Sequence, residues 1–452
     1  MLLRFIVDNL FSFGSPTEFN LTPSKQSSKK SHHLYSFKHI NCLKLSAIYG
    51  ANGAGKSNLI NAISFLFDLI ESEESIGHIL SKRFKRAKSD NRNDVSFGIE
   101  FVFNNTPYIY GIKLDRGRIV FEELYRSGLG KKENELIFER STTENGENKV
   151  IFPESFFSDA EGTVMKDVVI KSYKNSKMSF LKLLSGLEHE SFSEVRNAYN
   201  WFRHSLVPLN PDALYTNLVA RYITDDEFAK FTNDMICSFH TGIKEVGHEK
   251  IELGKYLGEN ENDEYERIFQ NLVNLDGQIL SGSLEDERVA IRLENNLAYV
   301  YRLYFKHEGI DDSAKFYFND ESDGTKRLFE YVALFKDIID SNVVYIIDEI
   351  ERSIHPTIIK ELIQKFSSEK NTKGQLIFST HESNLLDQEI FRQDEIWFAE
   401  KTNEGTTKLY PLSDFEVHHS KNIQKGYLNG RYGAIPFTGN LNDLKWVHHE
   451  TV

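Results

Sequence analysis

The sequence predicts an α/β fold with a parallel sheet that is divided by a long insertion. Three apolar segments, each typical of a strand buried on both faces, support this prediction. One precedes a glycine-rich turn and a helical pattern near residue 50, and the other two lie near residues 345 and 377. A crossover between parallel strands needs only a few tens of residues. Because the first two segments are about 290 residues apart, other elements must be inserted between them.

The first segment continues into a phosphate-binding motif. Residues 43–60 read LKLSAIYGANGAGKSNLI, and Gly50, Gly55, Lys56 and Ser57 fill the fixed positions of G-x-x-x-x-G-K-[ST]. Positive φ angles at Gly50, Gly53 and Gly55 would let backbone N–H groups approach a phosphate chain. Lys56 would neutralise phosphate charge, and the Ser57 hydroxyl would bind Mg²⁺. The predicted nucleotide site comprises Gly50, Asn52, Gly53, Ala54, Gly55, Lys56, Ser57 and Asn58.

The second segment, Ser341–Ile350, is a β-branched run that ends in two carboxylates, Asp348 and Glu349. Ligands bind at the carboxyl ends of the strands in open α/β sheets. Asp348 would hold Mg²⁺, and Glu349 would act as the general base for an attacking water. An acidic strand end alone is a weak pattern, but the phosphate-binding motif favours the catalytic interpretation.

Two further features extend this set. The third strand, Gln375–Ser379, is followed by Thr380 and His381, and this histidine is predicted to reach the γ-phosphate. A capping or surface role for His381 is the alternative. Upstream, Ser322 and Gly324 form a Ser/Gly turn before a helical pattern, which is typical of a second anion site.

Composition restricts the class of protein. No apolar run reaches the roughly 18 residues that span a bilayer, and the N-terminal apolar segment carries Arg4 and Asp8, so a cytoplasmic protein without membrane contact is expected. The two cysteines, Cys42 and Cys237, have no spacing typical of a disulfide framework or a zinc site. The net charge of −13 argues against a uniformly basic nucleic-acid-binding surface.

The chain is expected to form four regions. Alternating patterns over residues 95–126 predict a β-meander, whereas 3.6-residue periodicity after Pro153 predicts a mainly helical insertion. The predicted regions are an N-terminal lobe (1–154), the helical insertion (155–290), a C-terminal lobe (291–400) and a C-terminal tail (401–452). A basic segment from Lys82 to Arg92 would contact a phosphate backbone or form a solvated or partner-facing loop.

The motif order resembles that of the ABC/SMC-type ATPase head, in which the two chain ends close into one domain around an insertion. The sequences SDGT, DEIERSIHP and STHESNLLD are similar to those of AAA-family ATPases of bacterial anti-phage defence systems, including PARIS and Septu subunits and the ATPase half of OLD-family nucleases. The closing sequence YLNGRYGAIP is also similar. The Ser322 motif, ESDGTKRL, departs from the LSGGQ form of the ABC family.

This resemblance implies an ATPase that requires ATP and Mg²⁺ and has a composite site. ATP held by Lys56 and Ser57 of one protomer would contact Ser322 and Gly324 of another, so that at least a dimer closes on ATP. It further implies a sensor or regulator of a separate effector, expected to be a nuclease, because the roughly 70 residues after His381 are too few for an appended nuclease domain.

Two alternatives stay open at this stage. The first is an SMC-like ATPase that binds duplex DNA directly in repair or maintenance, with the basic segment as its contact. The second is a nuclease hidden in the insertion or the tail. The histidine pairs at 32–33, 418–419 and 448–449 invite that reading, but they lack acidic partners at metal-ligand spacing and are predicted to lie on the surface.

Overall fold

The computed structural model describes residues 1–24, 30–37, 40–85, 92–157, 160–209, 217–258, 262–274, 278–284, 287–418 and 421–436. The helices are α1 (Lys56–Glu71), α2 (Glu73–Lys82), α3 (Ala160–Ser172), α4 (Phe180–Ser185), α5 (Ser193–His204), α6 (Leu218–Thr224), α7 (Asp226–Ser238), α8 (Leu253–Leu257), α9 (Asn262–Asn274), α10 (Asp323–Asp340), α11 (Pro356–Ser368) and α12 (Ile423–Leu428).

In the described part of the chain, the strands form four sheets. They are β1 (Leu2–Asp8), β2 (Thr17–Asn20), β3 (Leu34–Phe37), β4 (Ile40–Leu43), β5 (Leu45–Gly50), β6 (Asp94–Phe103), β7 (Thr106–Asp115), β8 (Arg118–Arg126), β9 (Glu135–Thr142), β10 (Asn148–Ile151), β11 (Leu206–Leu209), β12 (Ile243–Glu252), β13 (Leu280–Leu284), β14 (Glu287–Glu294), β15 (Leu297–His307), β16 (Phe316–Tyr317), β17 (Val344–Ile347), β18 (Gln375–Ser379), β19 (Ile396–Lys401) and β20 (Thr407–Pro411).

A six-stranded sheet with the order β11-β17-β18-β5-β19-β20 positions the predicted motifs. Its first five strands are parallel, and β20 pairs with β19 in the antiparallel sense. Every residue of β5, β17 and β18 is buried, as expected for parallel strands covered on both faces. The carboxyl ends of these three neighbouring strands therefore lie side by side, and this arrangement confirms the predicted α/β fold class.

A seven-stranded antiparallel sheet with the order β10-β9-β8-β7-β6-β1-β2 packs beside this unit. The β6–β7 hairpin turns through Asn104 and Asn105, whose φ angles are 48° and 61°. Two consecutive residues with positive φ are typical of a type I′ hairpin turn. One hydrophobic core contains side chains from this sheet and from α1, α4 and α5.

The predicted insertion, residues 155–290, contains more strand than expected. Helices α3 to α9 lie within it, but β11 joins the six-stranded sheet beside β17, and β12, β13 and the first half of β14 join a separate five-stranded sheet. In that sheet β12 pairs with β15 across nine registered positions, so its conformation depends on a partner outside the predicted insertion. The description "mainly helical" therefore fits residues 160–238, apart from β11, and not the remainder.

The segment after residue 400 also differs from a simple tail. It contributes β20 to the six-stranded sheet, followed by α12. The boundaries at residues 154, 290 and 400 remain predictions. Within the described residues, no helix has both the length and the apolar character required to cross a membrane.

Candidate functional site

A cavity of about 280 Å³ lies where the carboxyl ends of the central strands meet. Most of the residues predicted from the motifs line it. They are Asn52, Gly53, Gly55, Lys56, Ser57, Asn58, Glu349 and His381. The structure thus brings residues from two regions about 290 positions apart to one cavity.

Glycine is required at different positions of the phosphate-binding loop for different structural reasons. Gly53 and Gly55 have φ angles of 75° and 109°, which confirms the predicted left-handed backbone at both positions. Gly50 has no positive φ, so the prediction for this residue was wrong. It is required instead because a Cβ atom there would lie 2.4 Å from the carbonyl oxygen of Ala399 on the neighbouring strand β19.

Ser12 and Thr407, from opposite ends of the chain, form hydrogen bonds with the loop and with the first turn of α1. The Thr407 hydroxyl lies 2.8 Å from the Ala54 carbonyl oxygen and 2.7 Å from Ser12 Oγ. Ser12 Oγ also accepts a hydrogen bond of 2.8 Å from the Asn58 side chain. Ser12 and Thr407 are both buried, so these hydrogen bonds are shielded from water. They fix the loop and the first turn of α1 relative to each other.

Lys56 lies in the first turn of α1 with its ammonium group directed back across the loop. Its Nζ donates hydrogen bonds to the carbonyl oxygens of Gly50, at 2.9 Å, and Ala51, at 3.3 Å. Burial lowers the pKa of Lys56, while the carboxylates of Asp348, Glu351 and Glu349 act in the opposite direction. The lysine is therefore a partly desolvated cation beside a helix N-terminus, which is a suitable environment for a phosphate.

Asp348 and Glu349 follow the buried strand β17, as predicted. The Ser379 hydroxyl, at the end of β18, donates to Asp348 Oδ1 at 2.5 Å and accepts from the Glu349 backbone N–H at 2.9 Å. Glu349 has a φ of 50°, which is uncommon for a residue other than glycine. Such strain is retained where surrounding contacts determine the conformation, and it is frequent at active sites. Here it orients the Glu349 side chain, which lines the cavity.

His381 faces the same cavity from the segment after β18. Its backbone N–H donates to Glu351 Oε1 at 2.6 Å, which joins this segment to the loop after Glu349. Burial lowers the pKa of His381, and the positive charge of Lys56 lowers it further. The imidazole is therefore neutral at neutral pH and can donate one hydrogen bond without adding a charge.

Ser322 and Gly324 do not line this cavity within one chain. Ser322 is exposed and caps α10, where its hydroxyl accepts a hydrogen bond from the Thr325 N–H at 3.2 Å. A Cβ atom at Gly324 would lie 2.8 Å from the Ser353 carbonyl oxygen, so this glycine also permits close packing against the loop after β17. The turn thus presents the N-terminus of an 18-residue helix at the protein surface.

The donor set suits Mg²⁺ bound together with a nucleotide. Within the described residues, no group of three or more His, Cys, Asp or Glu side chains could hold a metal by itself. Mg²⁺ commonly takes only one or two protein oxygens and completes its shell with phosphate and water. The Ser57 hydroxyl in the cavity and the buried Asp348 carboxylate are donors of this kind.

Sequence reasoning missed Ser12, Thr407 and the role of Ser379. Ser379 immediately precedes the Thr380–His381 pair, so its position at the strand end was visible even though its bond to Asp348 was not. Ser12 and Thr407 belong to no motif, and they are 395 residues apart. Only the pairing of β20 with β19 brings Thr407 to the loop.

The predicted basic segment, Lys82 to Arg92, contains arginines that form contacts within the protein. In the basic segment, Arg83 donates to the Arg92 carbonyl oxygen, and Arg92 pairs with Asp8 and Asp94, so these two arginines serve internal contacts. Residues 86–91 of that segment lie outside the described residues.

His33, predicted as a surface residue, is buried, and its Nδ1 lies 2.9 Å from Glu395 Oε1. Residues 419, 448 and 449 lie outside the described residues.

The fold and the site together define a P-loop NTPase with an α/β sheet divided by inserted elements. The chain belongs to the AAA_21 family, because the family model described as "AAA domain, putative AbiEii toxin, Type IV TA system" matches residues 45–387. P-loop ATPases of this class generally bind ATP with Mg²⁺. No curated protein has a matching sequence.

Solved structures of SMC heads overlap with most of the chain. The SMC head domain from Thermotoga maritima is 14% identical, covers 92% of this chain and 99% of its own, and has a TM-score of 0.39. An Smc head with an extended coiled coil, bound to the C-terminal domain of ScpA and derived from Pyrococcus furiosus, is 13% identical, with coverages of 95% and 98% and a TM-score of 0.44. At these TM-scores the similarities carry no argument about function.

Proposed function

We propose that this protein is an ABC-type ATPase that binds and hydrolyses ATP. One observation carries the proposal: the loop with Lys56 and Ser57 shares a cavity with Glu349 and His381. A phosphate-binding loop alone would support nucleotide binding only. A carboxylate directed into the same cavity adds a group that can accept a proton from an attacking water.

Each residue has a distinct role in the proposed reaction. The N–H groups at the start of α1 and the Lys56 ammonium bind the phosphates. Glu349 orients the water and accepts its proton, and His381 donates a hydrogen bond to the γ-phosphate. Ser57 and Asp348 would hold Mg²⁺, which would neutralise part of the phosphate charge.

The proposed active form is at least a dimer. Ser322 and Gly324 are at the exposed N-terminus of α10 and do not line the cavity of their own chain. A second copy would bring this N-terminus to the phosphates, where the helix dipole and the N–H groups stabilise negative charge. ATP would then lie between two protomers, and its hydrolysis would reopen the interface.

The proposed biological role is control of a separate effector, with a nuclease as the expected partner in anti-phage defence. The family description refers to a toxin–antitoxin system, and the sequence resembles defence ATPases. Direct binding of duplex DNA is the second candidate. The internal pairing of Arg92 with Asp8 and Asp94 favours the first candidate, because it leaves fewer cations for DNA phosphates.

The test is ATP turnover per protomer against protein concentration, with and without duplex DNA. We expect turnover to rise with protein concentration, to be lost in Glu349→Gln and to be unaffected by DNA. Steep stimulation by DNA that weakens with salt would favour the DNA-binding alternative. Cleavage of plasmid DNA by the purified protein alone would contradict a separate nuclease effector.

A further inference from the structure

A second cavity lies beside the C-terminal part of α10, at the other end of this helix from the turn at Ser322. It has a volume of about 490 Å³ and is formed between α7, α10 and α11. We call it the three-helix groove. Its apolar lining residues are Phe231, Met235, Phe239, Phe335, Ile339, Leu362 and Phe366.

The groove combines a rigid floor with an adaptable wall. Phe335, Leu362 and Phe366 are buried in the second hydrophobic core, which also contains β17 and β18. Phe231, Met235 and Phe239 are only partly buried and form the wall contributed by α7 and the residue after it. Spacing of four residues along α7 aligns these three side chains on one face. A trough of this size and composition fits the apolar face of a helix.

The rim of the groove is acidic. Asp234 and Glu361 are exposed and, within the described residues, form no ion pair. Glu369 is 3.6 Å from Lys365, which is the single cation among the lining residues in the described part of the chain, so these two charges offset each other. A negative rim attracts basic groups and repels nucleic acid. The complementary partner therefore has an apolar stripe flanked by Lys or Arg.

Two of the helices that form the groove, α10 and α11, begin close in sequence to residues of the proposed ATP site. Phe335 belongs to α10, which begins directly after Ser322, and Leu362 belongs to α11, which follows the loop from Glu349. The opposite wall belongs to α7, in the inserted region, whose Asn233 accepts a hydrogen bond from the Val246 N–H of β12. A molecule bound in the groove would therefore fix the inserted region relative to both α10 and α11.

We propose that the three-helix groove is the docking site for a basic amphipathic α-helix of a partner protein, and that docking changes ATP turnover. The effect on turnover rests on the ATPase function proposed above, whereas the binding does not. A helix is favoured over an extended segment because the groove is a trough between helices and offers side chains rather than an open strand edge.

The test uses two fluorescent 18-residue peptides with the same apolar pattern, one with Leu and Lys and the other with Leu and Glu. We expect the Leu/Lys peptide to bind and the Leu/Glu peptide not to bind. The double variant Asp234→Lys with Glu361→Lys should weaken binding by about tenfold, since it replaces two attractions with repulsions. Both residues are exposed, so the variant is expected to fold.

The matched control is Glu144→Lys with Glu416→Lys. It changes the net charge by the same amount at exposed positions away from the groove, so peptide affinity should be unchanged. Met235→Ala tests the apolar wall and should also weaken binding. Equal binding of the two peptides, or equal loss of affinity in the rim and control variants, would overturn the docking proposal.

Two further readouts separate this proposal from the ATPase proposal. Lys56→Ala should bind the Leu/Lys peptide as well as the wild type, because the groove lies outside the nucleotide cavity. Peptide binding without any ATP turnover in the wild type would refute the ATPase function while supporting the groove. Turnover without peptide binding, or self-association that the rim variant abolishes, would overturn docking of a partner helix.

Discussion

The Ser379 hydroxyl donates a hydrogen bond of 2.5 Å to Oδ1 of Asp348. Ser379 Oγ also accepts a hydrogen bond from the backbone N–H of Glu349, so one side chain at the end of β18 positions both carboxylate residues at the end of β17. These three residues lie at the carboxyl edge of the sheet, where β18 separates β17 from the loop-bearing strand β5. Ser379 is completely buried, which shields these hydrogen bonds from competition by water.

We expect Ser379→Ala to reduce ATP turnover without preventing folding. Loss of a hydrogen bond to a charged group costs about 1.5–3 kcal/mol, which corresponds to roughly a 10- to 100-fold decrease if it is expressed in turnover. The Mg²⁺ concentration for half-maximal turnover should rise. Ser367→Ala is the control, since this serine is also buried but donates to Gln364 within α11. Equal effects of the two variants would contradict a specific role for Ser379.

The two positive-φ glycines of the loop should respond differently to alanine. Either substitution strains the backbone by about 1–2 kcal/mol. At Gly55 the new Cβ would also lie 2.1 Å from Thr407 Oγ1, whereas at Gly53 no atom of the described residues, apart from the chain neighbours, lies within 4 Å. Gly55→Ala should therefore abolish binding of a fluorescent ATP analogue, and Gly53→Ala should only weaken it. Similar affinities in both variants would show that the contact with Thr407 is unimportant.

Thr407→Val should loosen the loop because valine keeps the shape of threonine but removes the hydroxyl. The buried Ala54 carbonyl oxygen and the Ser12 hydroxyl would each lose a partner, at a cost of about 1–3 kcal/mol in the free energy of unfolding. We expect weaker ATP binding and a lower Tm. Thr406→Val removes the hydroxyl of a half-buried neighbour that bonds to Thr402 rather than to the loop, so it should change neither quantity much. Unchanged ATP affinity in Thr407→Val would contradict a role of the Thr407 hydroxyl in fixing the phosphate-binding loop.

The buried pair of His33 and Glu395 should make stability depend on pH. Burial lowers the pKa of His33 to about 3 and raises the pKa of Glu395 well above 4.5, so the folded pair holds one proton over the intervening range. Because the pKa of Glu395 is raised, its contribution to the free energy of unfolding is complete below about pH 4.5 and falls as pH rises towards the folded pKa. The lowered pKa of His33 has the opposite effect, because its contribution falls as pH falls from about 6.5 towards 3.

Urea unfolding between pH 5 and 8 measures this effect. We expect the wild type to lose stability relative to Glu395→Gln as pH rises from 5, because glutamine cannot take up that proton and the titration of His33 is common to both proteins. The cations Lys30, Lys44 and Arg392 and the carboxylate Asp394 near the pair are present in both proteins, so the difference isolates residue 395. Parallel pH profiles would contradict a shared proton in the folded state.

Sequence patterns predicted the central sheet and most of the nucleotide cavity. The reason is local: β5, β17 and β18 are apolar runs whose functional residues follow at the strand end, so burial and chemistry are encoded in the same few positions. The left-handed backbone at Gly53 and Gly55 also follows from the motif. Gly50 was misjudged because its constraint is the Ala399 carbonyl oxygen on β19, which no local pattern contains.

The strands of the predicted insertion depended on distant partners. In β12, charged residues alternate irregularly with Val246 and Gly247, and the strand forms because it pairs with β15. In β11, Pro208 suggests a break in a helix, but an edge strand tolerates proline because its outer N–H groups need no partner. His33 was assigned to the surface because its partner, Glu395, is more than 350 residues away.

Mixing two inactive variants tests the shared ATP site most directly. Lys56→Ala removes the phosphate contact of its own chain, and Ser322→Arg blocks the contact offered to the partner. Each variant alone should lack turnover, whereas a mixture should recover about a quarter of wild-type turnover, since half of the dimers would contain one intact site. Normal turnover by Ser322→Arg alone, or no recovery on mixing two folded variants, would contradict an ATP site shared between protomers.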